Sequence, residues 1–328
     1  MPQIFELTNQ NGLRCEISSF GATLVAFSFT KQSGEIAPLI LSYADREKYI
    51  DETQCDNQYI GKTIGRFAGR IRNAEHPLID KSIPKNEILL HSGKNGISFK
   101  NWECVAYQNN AENSFLTLRC HLNSGEDGFV GDLNIEAKFE LTLDCGLEIT
   151  YKASTQTETL VNLTNHAYFN LGQKSSILTH SLQLNAKEKL MLDEHLVPTG
   201  EIKIITQSTE DYLIERQIQS NFTPLDTVYR LEQTEQPLAQ LSSKETNISL
   251  AIFSNQPICI VYTPLNVSDV NFEIPFPAIC FETQGFPDCM NHGIFPKNIL
   301  RKGDEYVHWT RYAMREIQKK PIRENWLF

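Results

Sequence analysis

Leu133-Asn134-Ile135-Glu136-Ala137-Lys138-Phe139-Glu140-Leu141-Thr142-Leu143-Asp144-Cys145-Gly146-Leu147-Glu148-Ile149-Thr150-Tyr151-Lys152-Ala153 is the stretch whose reading decides the fold. Apolar and polar residues alternate on both sides of Asp144-Cys145-Gly146, and a period of two marks a strand with one buried face. The tripeptide reads as the turn between two such strands. Outward from this pair, strands are expected at residues 4–8 and 13–18, split by an Asn11-Gly12 hairpin signal. Further strands are expected at 23–29, 115–121, 182–185, 248–253, 258–263, 278–283 and 306–314, and the alternation from Leu147 is expected to run on to Val161. Helical turns are expected only near 45–50 and 210–214. With no alternation of strands and helices, the pattern predicts an all-β fold, a single large antiparallel β-sandwich.

The chain has 328 residues, and no linker, repeat or low-complexity tract divides it, so residues 1–328 are expected to form a single domain. Thirty Lys and Arg against 40 Asp and Glu give a net charge of −10, which argues against nucleic acid or an anionic membrane as partner and favours a small neutral ligand. No run approaches the roughly 18 apolar residues of a membrane span, and the N-terminus carries no secretory signal pattern. The protein is expected in the cytoplasm. Its eight cysteines, at 15, 55, 104, 120, 145, 259, 280 and 289, form no C-x-x-C pair and read as free thiols, not as a disulfide framework or a zinc site.

Several motifs carry titratable groups. Leu163-Thr164-Asn165-His166-Ala167-Tyr168-Phe169-Asn170-Leu171 sets an imidazole between an amide and two aromatic rings. Read alone, His166 fits a hydrogen-bonded core histidine as well as a catalytic acid. Glu282 lies between Phe281 and Thr283 on an apolar strand. Facing inward, it would be desolvated and its pKa would rise, as a general base requires; facing outward, it is a plain surface glutamate. Gly61-Lys62-Thr63 lacks the glycine that a phosphate loop needs at position 56, which is Asp56. The stretch from Gly61 to Arg72 holds three glycines and three arginines; it reads either as a tight basic loop or as backbone brought close to a ligand whose hydroxyls meet one guanidinium. His91 follows an apolar pair, Asp226 sits where a turn-capping Asp would also fit, and the loops at 92–100 and 123–132 are long enough to form the mouth of a site.

Taken in order, these blocks resemble the aldose 1-epimerase family, the galactose mutarotases. The likeness runs through Thr63-Ile64-Gly65-Arg66 and Arg70-Ile71, Leu90-His91 to Trp102, and Gly125-Glu126-Asp127-Gly128-Phe129. It continues through residues 162–171, Pro198-Thr199-Gly200-Glu201, Leu225-Asp226, Phe281-Glu282-Thr283-Gln284 with Pro287-Asp288, and Gly303-Asp304-Glu305-Tyr306. The resemblance implies the mutarotase-like sandwich, Glu282 as general base and His166 as general acid. It also implies Arg70, His91 and Asp226 as sugar ligands with Tyr168 beside them, and neither metal nor organic cofactor. Gly69, Thr227 and Ile260 depart from the family pattern, which commonly has Asn at the first position, often His at the second and in some members Gln at the third; these departures bear on sugar affinity.

The implied activity is interconversion of the α and β anomers of free aldohexoses, galactose and glucose, by a monomer or weak homodimer. On this reading His166 is expected to sit across the site from Glu282, about a sugar ring away. Three alternatives stay open: a hexose-6-phosphate mutarotase with Lys62, Arg66 and Arg72 on a phosphate, a glycosidase using Asp226 and Glu282 as paired carboxylates, and a non-catalytic sugar-binding protein on the same fold.

Overall fold

The computed structural model describes residues 1–51, 58–171, 176–219, 222–232, 234–270 and 274–317. The pair read first is present as Leu133–Thr142 and Gly146–Ser154, antiparallel, with Thr142 opposite Gly146 and Cys145 turning at φ 65°. They lie within a nine-stranded sheet whose order runs from Arg216–Gln217 through His180–Leu184, Ala239–Ser243, Ile248–Ser254, Tyr306–Glu316, Gly146–Ser154, Leu133–Thr142 and Ser114–Leu122 to Glu103–Asn109. A four-stranded sheet is built from Ile4–Thr8, Leu13–Ser18, Thr23–Thr30 and Ile36–Pro38. A six-stranded sheet runs Tyr168–Phe169, Ile279–Gln284, Ile258–Tyr262, Asp226–Leu231, Ala186–Leu192, Pro198–Ile204. All pairings within these sheets are antiparallel. Helix among the described residues is confined to 3-10 turns of three or four residues.

The principal core gathers side chains from Leu7 to Met314 and draws on all three sheets. Each large aliphatic or aromatic side chain buried there contributes about 1.5–3 kcal/mol. The six-stranded sheet is covered on both faces: Tyr229, Cys259, Val261, Ile279 and Phe281 point into the principal core, while Val228, Ile258 and Ile260 join a second cluster with Phe67, Ile71 and Phe286. That double burial explains why Ile279–Gln284 is buried at every position and why its outer face holds no solvent-exposed Glu.

Two expectations need correction. The strand from Leu147 ends at Ser154, because Thr155 turns the chain by accepting from Thr157 N–H and donating to the Thr157 and Asp132 carbonyls. A helical turn forms at Arg46–Tyr49, capped by the Asp45 carboxylate, but residues 210–214 form none; the Asp211 carboxylate instead accepts from Gln207 and Leu213 N–H and closes a turn. Seven of the eight cysteines are free thiols; Cys55 lies outside the described residues.

Candidate active site

His166 is placed from both sides of its own segment. Thr164–Asn165 pairs with Thr63–Ile64, His166 N–H donates to the Lys62 carbonyl at 2.9 Å, and Gly61 N–H donates to the His166 carbonyl at 2.9 Å. Gly61 must be glycine here: its φ is 71°, and a Cβ would stand 2.1 Å from the Leu24 carbonyl oxygen. Two residues on, Tyr168 pairs with Cys280, so the segment docks beside the strand that carries Glu282. The imidazole stacks on Tyr168 with ring centroids 5.0 Å apart and meets the Tyr262 ring edge-on at 6.2 Å.

Glu282 points to the face opposite Phe281, with Ile260 as its cross-strand neighbour. It is 3% exposed and His166 is 5% exposed. Their closest atoms, His166 Nε2 and Glu282 Oε1, are 3.4 Å apart. This corrects the expected spacing of a sugar ring. The reason lies in the pairing: Tyr168 stands opposite Cys280 in an antiparallel register, which leaves His166 and Glu282, each two residues further along, side by side. Burial, then the neighbouring Asp226 carboxylate, raise the Glu282 pKa from 4.5 to about 8, against the pull of the Arg70 guanidinium.

Arg70 and His91 come from one ribbon, in which Arg70–Arg72 pairs with Ile88–Leu90. Arg70 Nη1 lies 3.8 Å from Asp226 Oδ2. Burial raises the Asp226 pKa and Arg70 opposes it. His91 is held far below the usual histidine range by burial, by His166 and by Arg70, so it is neutral. Its tautomer is set by the main chain: Gly69 N–H donates to Nδ1 at 3.1 Å, leaving the ring proton on Nε2 as a donor.

All six residues singled out in the sequence, Glu282, His166, Arg70, His91, Asp226 and Tyr168, line one cleft of about 220 Å³. The volume falls below the roughly 300–1,000 Å³ of sites for drug-sized ligands and suits a small ligand. Tyr59, Tyr262, Gln58 and Asn266 also line it and were not read from the sequence. Of these, Tyr262 alone had a signal, since it shares a strand face with Ile260. Gly69 and Ile260 line the cleft, whereas Thr227 turns away and donates to Glu210 Oε1.

Other expectations fail. The loops at 92–100 and 123–132 contribute nothing to the cleft wall; they are tied together by the Lys100–Glu126 pair, and Asp127 is buried against Arg66. Gly61 and Gly65 admit other parts of the protein, Leu24 for the first and Leu163 and Ile97 for the second, so of the three glycines only Gly69 reaches the cleft. The phosphate alternative loses its cations: Arg66 is fully buried on Asp127, Arg72 pairs with Asp193 at 2.5 Å, and Lys62 donates to the Ser98 carbonyl.

His91, His166 and Glu282 each bring a ligand atom within 4.8 Å of the others, a spacing a metal ion could use. The hydrogen bonding argues otherwise. A metal on His91 Nε2 requires a proton on Nδ1, which would face the Gly69 N–H, a donor against a donor. The set suits moving protons between an acid and a base.

Comparison with known proteins identifies the family. A family model described as aldose 1-epimerase matches residues 3–313. An aldose 1-epimerase from Streptococcus thermophilus is 32% identical over 324 residues, covering 90% of each chain, and the human galactose mutarotase is 30% identical over 325 residues, covering 92% of each. A crystal structure of an aldose epimerase homologue from C. elegans superposes with a TM-score of 0.87 at 25% identity, covering 97% of this chain and 100% of that one. On this fold, with that match along nearly its whole length, the chain belongs to the aldose 1-epimerase family.

Proposed function

We propose that the protein is an aldose 1-epimerase that interconverts the α and β anomers of free galactose and glucose. Glu282 takes the proton of the C1 hydroxyl as C1=O1 forms; the C1–O5 bond breaks and His166 delivers a proton to O5. Rotation about C1–C2 presents the other aldehyde face, and the same two groups, now in exchanged protonation states, close the ring. Each transfer is worth about 10²–10⁴ in rate. Arg70, His91 through Nε2–H, and Asp226 hold the hydroxyls, and Tyr168 packs against the acid. Fixed donors at the developing charge add electrostatic stabilisation that water would have to reorganise to supply.

The observation that carries this reading is the 3.4 Å contact between a buried imidazole and a buried carboxylate on the wall of a small polar cleft. The glycosidase alternative is disfavoured because the group in contact with Glu282 is the His166 imidazole, which supplies the acid and leaves Asp226 to binding. Residues 1–328 act as one domain in this reading, supported by a core that draws on strands from both ends of the chain. The same reading has it working in the cytoplasm as a monomer or weak homodimer, its net charge of −10 fitting a neutral sugar better than a polyanion.

Polarimetry on freshly dissolved α-galactose and α-glucose tests the proposal. Accelerated approach to anomeric equilibrium is the expected result. No acceleration, or release of nitrophenol from nitrophenyl glycosides, would overturn it.

A further inference from the structure

Outside the cleft, one buried carboxylate has no part in the proton transfers, yet it is bonded to the strand that carries Arg70. Asp288 follows the Ile279–Gln284 strand and adopts φ 49°, an uncommon conformation for a residue other than glycine. Its N–H donates to the Arg70 carbonyl at 3.0 Å. Its Oδ1 accepts from Arg72 N–H at 2.9 Å and from Asn291 Nδ2 at 2.6 Å, and its Oδ2 lies 2.9 Å from His292 Nε2. Asn291 Nδ2 donates in turn to the Arg72 carbonyl at 2.8 Å.

The grip matters because little else fixes Arg70. Its strand is three residues long and pairs on one edge with Ile88–Leu90, and a two-stranded ribbon is marginal by itself. The guanidinium is loosely held, 3.8 Å from Asp226 and 26% exposed. Where it sits therefore depends on the backbone beneath it, and the edge of that backbone left open by the ribbon is the one Asp288 occupies. His91, the residue after Leu90, belongs to the same ribbon and donates its N–H to the Gly69 carbonyl.

We propose that Asp288, backed by His292, is a positioning residue that sets where Arg70 meets the sugar. This rests on the sugar-binding role assigned above to Arg70. A carboxylate suits the task, since a charged acceptor makes shorter and stronger hydrogen bonds to backbone N–H than a neutral one.

The readout that separates positioning from mere stability is the pH profile. Glu282 faces His166, His91, Asp226 and Arg70, with Tyr168 and Tyr262 on adjoining strands and Cys280 on its own strand. Of these, only Arg70 is permanently cationic. Displacing it raises the pH at which Glu282 ionises, so the acid limb of kcat/KM moves upward.

Asp288→Ala should raise KM for galactose about tenfold to a hundredfold, as small misplacements of binding groups do, and shift that limb upward. Asp288→Asn, which keeps the Oδ1 acceptor, should restore most of both. In an Arg70→Ala background the effect of Asp288→Ala should shrink to about twofold or less. If Asp288→Ala does not fold, His292→Ala carries the test, with KM raised about threefold and the limb shifted the same way. Wild-type KM and an unmoved limb in the folded variants, or full additivity with Arg70→Ala, overturn the proposal. A wild-type protein inert on galactose would instead overturn the assigned function.

Discussion

Replacing Glu282 by Gln removes the proposed base while keeping its shape, and the structure makes this a stability experiment as well as an activity experiment. The Glu282 pKa is lifted from 4.5 to about 8 by burial and by Asp226, with Arg70 opposing. A carboxyl whose folded pKa is raised costs nothing at low pH, where folded and unfolded chains are both protonated. The cost begins as pH passes the unfolded value and levels off past the folded one. With pKa values of 4.5 and 8, keeping this group folded costs about 1 kcal/mol at pH 5 and about 4 kcal/mol at pH 8.

Glutamine carries none of that penalty. Its amide must still find a partner where Glu282 Oε2 has none among the described residues, a cost of about 1–3 kcal/mol that is the same at every pH. The pH-dependent part therefore isolates the charge, and Glu282→Gln should gain about 3 kcal/mol on the parent between pH 5 and pH 8. Urea unfolding of both proteins at the two pH values measures it, and polarimetry on the same samples should show kcat lowered about 10²–10⁴-fold. A stability difference that stays flat from pH 5 to pH 8 would refute the buried, ionisation-resistant carboxylate, even with activity lost.

Other expectations follow from the same geometry. The rate should be bell-shaped in pH, because the doubly protonated pair has no base and the doubly deprotonated pair no acid; its two apparent pKa values belong to the pair, and a monotonic rise through neutral pH would remove His166 as acid. Asp226→Asn removes the like charge that helps raise Glu282, so the acid limb should move to lower pH while KM rises about 10–100-fold for a lost charged hydrogen bond; an unmoved limb would show that burial alone sets the Glu282 pKa. Asp127→Asn breaks the fully buried pair with Arg66 and should lower stability by about 3–5 kcal/mol, measured by urea unfolding, with kcat/KM of the folded protein unchanged because neither residue lines the cleft.

The strands that the sequence reveals are those with one wet face and enough length to show a period. Leu133–Thr142 alternates at nearly every position, and its bounds come within a residue of the reading. Ala186–Leu192 was missed because bulges at Ala186/Glu188 and Leu190/Leu192 break its alternation. Glu103–Asn109 is a largely exposed edge with no buried face to read. Thr63–Ile64 and Arg70–Arg72 are too short to carry any period, although both hold segments of the site.

For the cleft, each residue type was visible but the distances were not. His166 and Glu282 are separated by more than a hundred positions, and their contact depends on the register that sets Tyr168 against Cys280. Neither periodicity nor composition encodes that register; the resemblance to a family supplied the grouping. Tyr59 was missed because nothing in its neighbourhood marks it, its placement following from the positive φ of Tyr59 and Gly61.

The bond from Gly69 N–H to His91 Nδ1 has a consequence for how this site can drift in evolution. The proton on His91 is dictated by a peptide group, which every residue at position 69 except proline would provide. Which side chain that position carries is limited, since φ at Gly69 is 78° and a Cβ would stand 3.0 Å from Pro287 Cβ, so the lineage can retune that wall only through residues that accept a left-handed backbone, such as asparagine, while the His91 tautomer is inherited unaltered.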